Sequence, residues 1–384
     1  MTPRATLRAG VPAINKALYH AIRFAAHDPA VLIELPHGES VRSTLIIRDV
    51  ELERARKMAR ADRVITPRDA TPASGFSGDR EIATAEAAIE FLRRSGIRQI
   101  VGDRSLPLLY VELAREVGIE ITLDVDMGVR ERRQKDATEV AHLRQAQRDT
   151  EHAVQQACRL IARSDVRADG VLQNEGVPLT SDSVRSYISI MLIKRGYAHC
   201  DCIVAGGPIG ADCHHPGEGE LRTRQPVMID VFPMNKTTLY HGDCTRTVVH
   251  GEIPDAVMAM HAMVIEAKAA AAAATHAGAT GDAVHQATVT VLKRHGVHIG
   301  SPPAGADDQL LFLPHGTGHG LGLDLKEPPL LDFKGVALLA GDAVTIEPAV
   351  YCKAIGGVRV EDLYIVQDDG CESLSTLPET LRWD

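Results

Sequence analysis

The 384-residue sequence predicts an α+β protein, with a smaller α/β domain over residues 1–129 ahead of a larger mixed domain over residues 130–384. Three observations predict it. Residues 30 to 125 alternate short strand-like runs with helix-length ones, the pattern of a sheet flanked by helices. Beyond residue 136 the pattern changes to longer amphipathic helices separated by strand-rich stretches. Between the two blocks MGVRERRQ, residues 127–134, is charged and irregular and reads as the linker.

In the first block AVLIELP and STLIIR read as strands, and DVELERARKMAR starts a helix at Asp49. RVIT is a short strand, and AEAAIEFLRRSG is a helix closed by Gly96. RQIVG is a strand, LPLLYVELAREVG a helix ending at Gly118, and IEITLD a strand. Strands separated by helices imply a largely parallel sheet. No GxGxxG follows any of them, so nothing points to a dinucleotide.

In the second block Asp136 and Glu139 make a capping-box start for a helix over 137–163. Further helices are expected over 181–195, 255–277 and 281–295, closed by Gly196, Gly278 and Gly296. QPVMIDVFPM and TTLYHGDCTRTVVHG read as strands before the last two helices. DAVTIEPAVYC and GGVRVEDLYIV read as strands after them.

Composition narrows the function. Hydrophobic residues make up 45% and charged ones 24%, ordinary for a soluble chain, while 4% aromatics leave the core to Ala, Val, Leu and Ile. A net charge of −9 argues against nucleic acid and anionic membrane surfaces as partners. No apolar run is expected to reach the roughly 20 residues a membrane helix needs. The first 27 residues are basic but lack the apolar block of a secretory signal. Seven cysteines without a CxxC pair point to neither a zinc ribbon nor a thiol redox site, and the expected compartment is the reducing cytoplasm.

The chemistry is carried by acids in unusual places. VMID ends at Asp230 with Asp243 on the next strand, and VTIE ends at Glu347 with Glu361 on its next strand. Each pair reads as a hairpin presenting one inward acid per strand. Aspartate is depleted in strands, and four buried carboxylates repel one another unless cations join them. A third element, HGTGHG at 315–320, offers His315 and His319. Its interleaved glycines disfavour a helix by roughly 1 kcal/mol each, so it is a loop or extended segment. Four carboxylates and an imidazole suit Mn²⁺, Co²⁺, Fe²⁺ or Zn²⁺.

These motifs, in the order VMID, DxTRT, HGTGHGLGLD, TIEP and VRVED, resemble the creatinase/aminopeptidase superfamily of "pita-bread" metallopeptidases. The likeness is to its aminopeptidase P and prolidase branch and covers about residues 135–384; the amino-terminal block is similar to that family's non-catalytic domain. The resemblance implies metal ligands Asp230, Asp243, His319, Glu347 and Glu361, with Asp243 and Glu361 bridging two divalent ions, manganese foremost. It implies a peptide substrate, cleavage of Xaa-Pro bonds by a hydroxide held between the metals, Glu347 as proton carrier, and a homodimer. His214, with His215 its immediate neighbour, would contact substrate, His315 would line the pocket, and Arg359 would orient the last ligand strand. The interval from Asp230 to Asp243 is about two residues longer than the family's. Lys326 stands where the family has a second substrate histidine, and would face either the tetrahedral intermediate or a substrate carboxylate. Two alternatives follow: a weak or inactive peptide-binding relative of the fold, or a creatine-type amidinohydrolase, whose branch lacks the ligands found here.

Overall fold

The computed structural model describes residues 4–384. The chain divides into two compact units, one ending at Arg132 and the other beginning at Arg133.

The first unit is built on a six-stranded sheet. Its elements run β1 (Thr6–Gly10), α1 (Lys16–Ile22), β2 (Ala30–His37), β3 (Ser40–Ile47), α2 (Leu52–Met58), β4 (Arg63–Ile65), α3 (Arg80–Arg94), β5 (Gln99–Gly102), α4 (Leu108–Glu116) and β6 (Glu120–Leu123). The strand order is β4-β3-β2-β1-β5-β6. The sheet is mixed rather than largely parallel. β3–β4, β1–β5 and β5–β6 are parallel, but β1–β2 and β2–β3 are antiparallel. For β2–β3 the physical reason is the connection: His37 pairs with Ser40 across two residues, with Gly38 at φ 62°, and so short a link can only reverse the chain. β1 and α1 were not legible in the sequence, because TLRAG is short and not strongly apolar. The expected irregular linker contains a four-residue helix, α5 (Arg130–Arg133), begun where the Glu131 carboxylate accepts from Gly128 N–H at 2.8 Å.

The second unit opens with α6 (Ala137–Ala162), whose Asp136/Glu139 capping box forms as the sequence predicts. A small sheet, β7 (Asp165–Val166), β8 (Leu172–Asn174) and β9 (Val177–Pro178), leads to α7 (Ser181–Lys194). Next come β10 (Ile203–Gly206), β11 (Pro226–Val231) and β12 (Cys244–Val249), one antiparallel sheet. Along β11 the side chains alternate between two cores: Val227, Ile229 and Val231 pack in one and Met228 in the other. Asp230 falls on the Met228 face.

Helices α8 (Asp255–Ala274) and α9 (Gly281–Arg294) follow. Contrary to the expectation of no such run, α8 has 20 residues and a mean hydropathy of 1.3, enough by length and composition to cross a bilayer. Its alanines raise that figure. Val257, Met260, Val264, Ala267 and Ala271 are buried in the protein, and Lys268 is buried in ion pairs with Asp362 and Glu379.

The last segment holds β13 (His298–Ile299), β14 (Phe312–Leu313), β15 (Gly318–Gly320), β16 (Glu327–Leu331), β17 (Ala343–Ile346), β18 (Ala349–Cys352), β19 (Gly356–Arg359), β20 (Asp362–Gln367) and β21 (Gly370–Ser373). They form two sheets, β13-β14-β18-β19 and β16-β15-β17-β20-β21. The two stretches read as continuous strands are therefore each broken. β17 pairs with β20 in one sheet and β18 with β19 in the other. The chain changes sheets around Glu347 and Pro348 going out and around Glu361 coming back. Proline cannot donate to a ladder, which ends the first strand there.

Candidate active site

One cavity of about 650 Å³ in the second unit is lined by Asp230, Asp243, His319, Glu347 and Glu361, and by His214, His315, Lys326 and Arg359. The elements explain the gathering. Asp230 is the fifth residue of β11, Asp243 immediately precedes β12, and Glu347 and Glu361 sit at the two sheet changes. His319 lies in the middle of β15, beside the irregular pairing in which His319 faces Leu330 while Gly320 faces Glu327.

The glycines around His319 answer to crowding. A Cβ on Gly318 would lie 2.0 Å from the Thr345 carbonyl oxygen, and one on Gly320 2.4 Å from that of Glu327. Only bare backbone lets β15 lie this close to its neighbours, and that closeness sets the depth of His319. Gly318→Ala is expected to lower stability by about 1–3 kcal/mol or more, as overpacking does, and to reduce activity by displacing His319. Thermal melts and kinetics on that variant check it, and a wild-type result would show slack in β15.

Ligand-type atoms of Asp243, His319 and Glu361 all lie within 4.8 Å of one another. His319 Nε2 stands 3.8 Å from Asp243 Oδ2 and 3.6 Å from Glu347 Oε1. Its Nδ1 faces the Gly320 carbonyl at 3.1 Å. A carbonyl only accepts, so Nδ1 carries the proton and Nε2 presents a lone pair to the acids. Burial holds this imidazole down at about 4, so it does not answer the carboxylates by protonating near neutrality. Lone pair against carboxylate is repulsive unless a cation sits between them.

The carboxylates say the same. Asp243 and Glu361 are raised well above the usual carboxylate range, first by burial and then by neighbouring acids. Glu347 is raised to about 7, chiefly by burial. Asp230 Oδ1 is buried without a hydrogen-bond partner. An orphaned carboxylate oxygen, an unprotonated imidazole nitrogen and three strained acids in one cavity fit divalent cations.

Surrounding groups fix the donors. Gln147 of α6 holds the Asp243 backbone at both ends, accepting from its N–H at 3.0 Å and donating to its carbonyl at 2.9 Å. Thr245 Oγ1 donates to Glu361 Oε2 at 2.7 Å, and His319 N–H donates to Thr345 Oγ1 at 3.1 Å. Arg359 reaches beyond its own strand: Nη2 donates to Asp230 Oδ2 at 2.5 Å and Nη1 to the Tyr351 hydroxyl at 2.8 Å.

His315 is occupied at both nitrogens. Nδ1 donates to the Gly316 carbonyl at 2.8 Å, and Nε2 lies 2.9 Å from Tyr351 Oη, which accepts from Arg359 and so donates to His315. Burial first, then Arg359, pushes its pKa down to about 3, so it stays neutral. With both nitrogens engaged, it forms wall rather than donor set. Of the histidine pair on the preceding loop, His214 is exposed and lines the cavity. His215 is not among the lining residues; its Nδ1 accepts from Gly217 N–H at 3.0 Å. Lys326 is exposed at the cavity edge, directly before β16.

Sequence reasoning missed Tyr351, Gln147, Asp201 and Asp332. Tyr351 lies four residues after Glu347 in a motif already singled out, so its neighbourhood was a signal. Gln147 lies 96 residues from the backbone it holds, and nothing local marks it. Asp201 and Asp332 line the cavity from loops without motif context.

The model of metallopeptidase family M24 matches residues 141–368. The probable dipeptidase PepE of Mycobacterium bovis is 29% identical over 281 residues, 72% of this chain and 68% of that protein. The Xaa-Pro dipeptidase of Pyrococcus furiosus is 29% identical over 177 residues, 46% of this chain and 47% of that protein. Among solved structures, the Xaa-Pro dipeptidase from Bacillus anthracis superposes with a TM-score of 0.78 at 22% identity, covering 99% of this chain and 94% of that one. The X-Pro aminopeptidase from Thermotoga maritima gives 0.78 at 20% identity, covering 98% and 96%. At these identities the structural likeness carries the fold, an amino-terminal domain before a pita-bread domain.

Proposed function

Because the chain belongs to metallopeptidase family M24, we propose that it is an exopeptidase of the prolidase and aminopeptidase P kind, hydrolysing Xaa-Pro bonds with two divalent metal ions. The observation that carries the reading is the convergence of Asp230, Asp243, His319, Glu347 and Glu361 on one cavity, with one carboxylate oxygen orphaned. These five would hold the ions, with Asp243 and Glu361 shared between them and manganese the first candidate. When bound, such a pair supplies Lewis acidity toward the scissile carbonyl and acidifies water.

The protein's own groups do the rest. Glu347, at the sheet change beside the cavity, would take a proton from water and return it to the leaving nitrogen. Arg359 keeps Asp230 in place and, through the Tyr351 hydroxyl, fixes the ring of His315. That neutral, immobile imidazole beside Tyr351 makes a flat wall, suited to a proline ring that brings no N–H of its own. His214 is exposed at the cavity and free to turn toward substrate. The complete donor set speaks against an inactive binder and against the amidinohydrolase branch.

A digest of a defined peptide library with Mn²⁺, Co²⁺ or Zn²⁺, read by mass spectrometry, tests the reading: cleavage confined to Xaa-Pro bonds supports it, and cleavage elsewhere or none refutes it. Within it, His319→Ala should lower the metal stoichiometry measured on purified protein, whereas His315→Ala should keep the stoichiometry and raise KM. The reverse pattern would overturn the assignment of the two histidines.

A further inference from the structure

The cavity carries more charge than the metal donors account for. Asp201 and Asp332 add two carboxylates to the four already placed, while Arg359 and Lys326 are its permanent cations. Six carboxylates against two cations leave an excess that two divalent ions neutralise, so the loaded cavity is balanced overall but unevenly divided. Arg359 is spent: it donates to Asp230, to the Tyr351 hydroxyl, to the Cys213 carbonyl and to Thr245 Oγ1. Lys326 is not. Its side chain is exposed, and among the described residues its ammonium has no hydrogen-bond or ion-pair partner.

The backbone beside it is nonetheless fixed. Glu327 is buried and bonded at 2.7 Å to the buried Lys135 ammonium, which anchors the start of β16. A rigid base thus carries a mobile cation on a four-carbon stem with three donors.

A substrate carboxylate entering the cavity is desolvated and meets the carboxylates that line it locally, unless a cation receives it. In a dipeptide that carboxylate lies one residue from the scissile bond and must enter. In a longer peptide it stays in solvent. We propose that Lys326 receives the free α-carboxylate of the substrate and thereby selects dipeptides over longer or amidated peptides; this rests on the peptidase reading above.

The test compares alanylproline with alanylprolinamide on the metal-loaded protein and on its Lys326→Met and Lys326→Arg variants. The wild type should show a KM at least about tenfold lower for the free acid, equivalent to about 1.4 kcal/mol. In Lys326→Met that ratio should collapse to within about twofold because KM for the acid rises, and Lys326→Arg should restore most of it. A ratio unchanged in Lys326→Met overturns the inference, as does a loss confined to kcat, which would place the lysine on the tetrahedral intermediate. If neither peptide is cleaved with any divalent metal, it is the peptidase reading that fails. Calorimetric titration of the same two peptides then still decides the carboxylate inference, with equal affinity overturning it.

Discussion

Asp243→Asn and Glu361→Gln are expected to abolish peptide hydrolysis and to move thermal stability in opposite directions with and without metal. Each variant removes a carboxylate that the proposed ions share. Binding to the folded state alone stabilises by about 2.7 kcal/mol at a hundredfold excess over Kd, or about 3 °C in Tm for a protein of this size. That metal-dependent rise should shrink or vanish in the variants. In the metal-free protein the sign reverses. Asp243 and Glu361 are pushed far up by burial and by one another's neighbours, so each is a source of strain without a cation. Removing that charge at nearly constant volume should leave the metal-free variants as stable as the wild type or more so. Scanning calorimetry with and without Mn²⁺ checks both halves. A variant that kept activity and the metal-induced rise would end the proposed site.

The second large effect is expected at Arg359. Its guanidinium is 3% exposed and bonded to Asp230, Tyr351, Cys213 and Thr245. Arg359→Met breaks a buried ion pair and leaves Asp230 uncompensated, a loss of about 3–5 kcal/mol. It should also lower kcat/KM by about a hundredfold or more, because Asp230 and the Tyr351–His315 pair lose their common anchor. Arg359→Lys restores the charge but not the fork, so it should recover part of the stability and little of the activity. Denaturant melts and kinetics on the two variants decide this; a Met variant with near-wild-type kcat/KM would show that Asp230 holds its place unaided.

Much of this site could be read in the sequence because its donors interrupt local patterns. An acid after Val-Met-Ile or Val-Thr-Ile contradicts strand propensity, and histidines among glycines contradict helix spacing; such contradictions mark function. What stayed illegible is non-local. Period-two alternation places Asp230 on one face of β11, but nothing in it reveals that the guanidinium facing Asp230 comes from 129 residues away. The sheet changes at Glu347 and Glu361 were hidden because strand-forming residues stand on both sides of each acid, Val344–Ile346 and Ala349–Tyr351 in one stretch and Val358–Val360 and Leu363–Val366 in the other. In the first unit, helix spacing suggested parallel pairing, but β2 runs antiparallel to both β1 and β3, and only the second reversal has a local mark, the two-residue link.

The exchange of strands between two sheets at Glu347 and Glu361 has a bearing on how the protein matures. Neither carboxylate is presented until both sheets have formed and docked, and the partner donors Asp230 and Asp243 come from the β10-β11-β12 sheet, far along the chain. Such pairings of high sequence separation are slow to form. A nascent or partly unfolded chain therefore has no site to offer, and cation uptake becomes a late event that reports completed assembly rather than one that nucleates it. A metal ion arriving early finds only scattered acids; one arriving late locks a finished architecture.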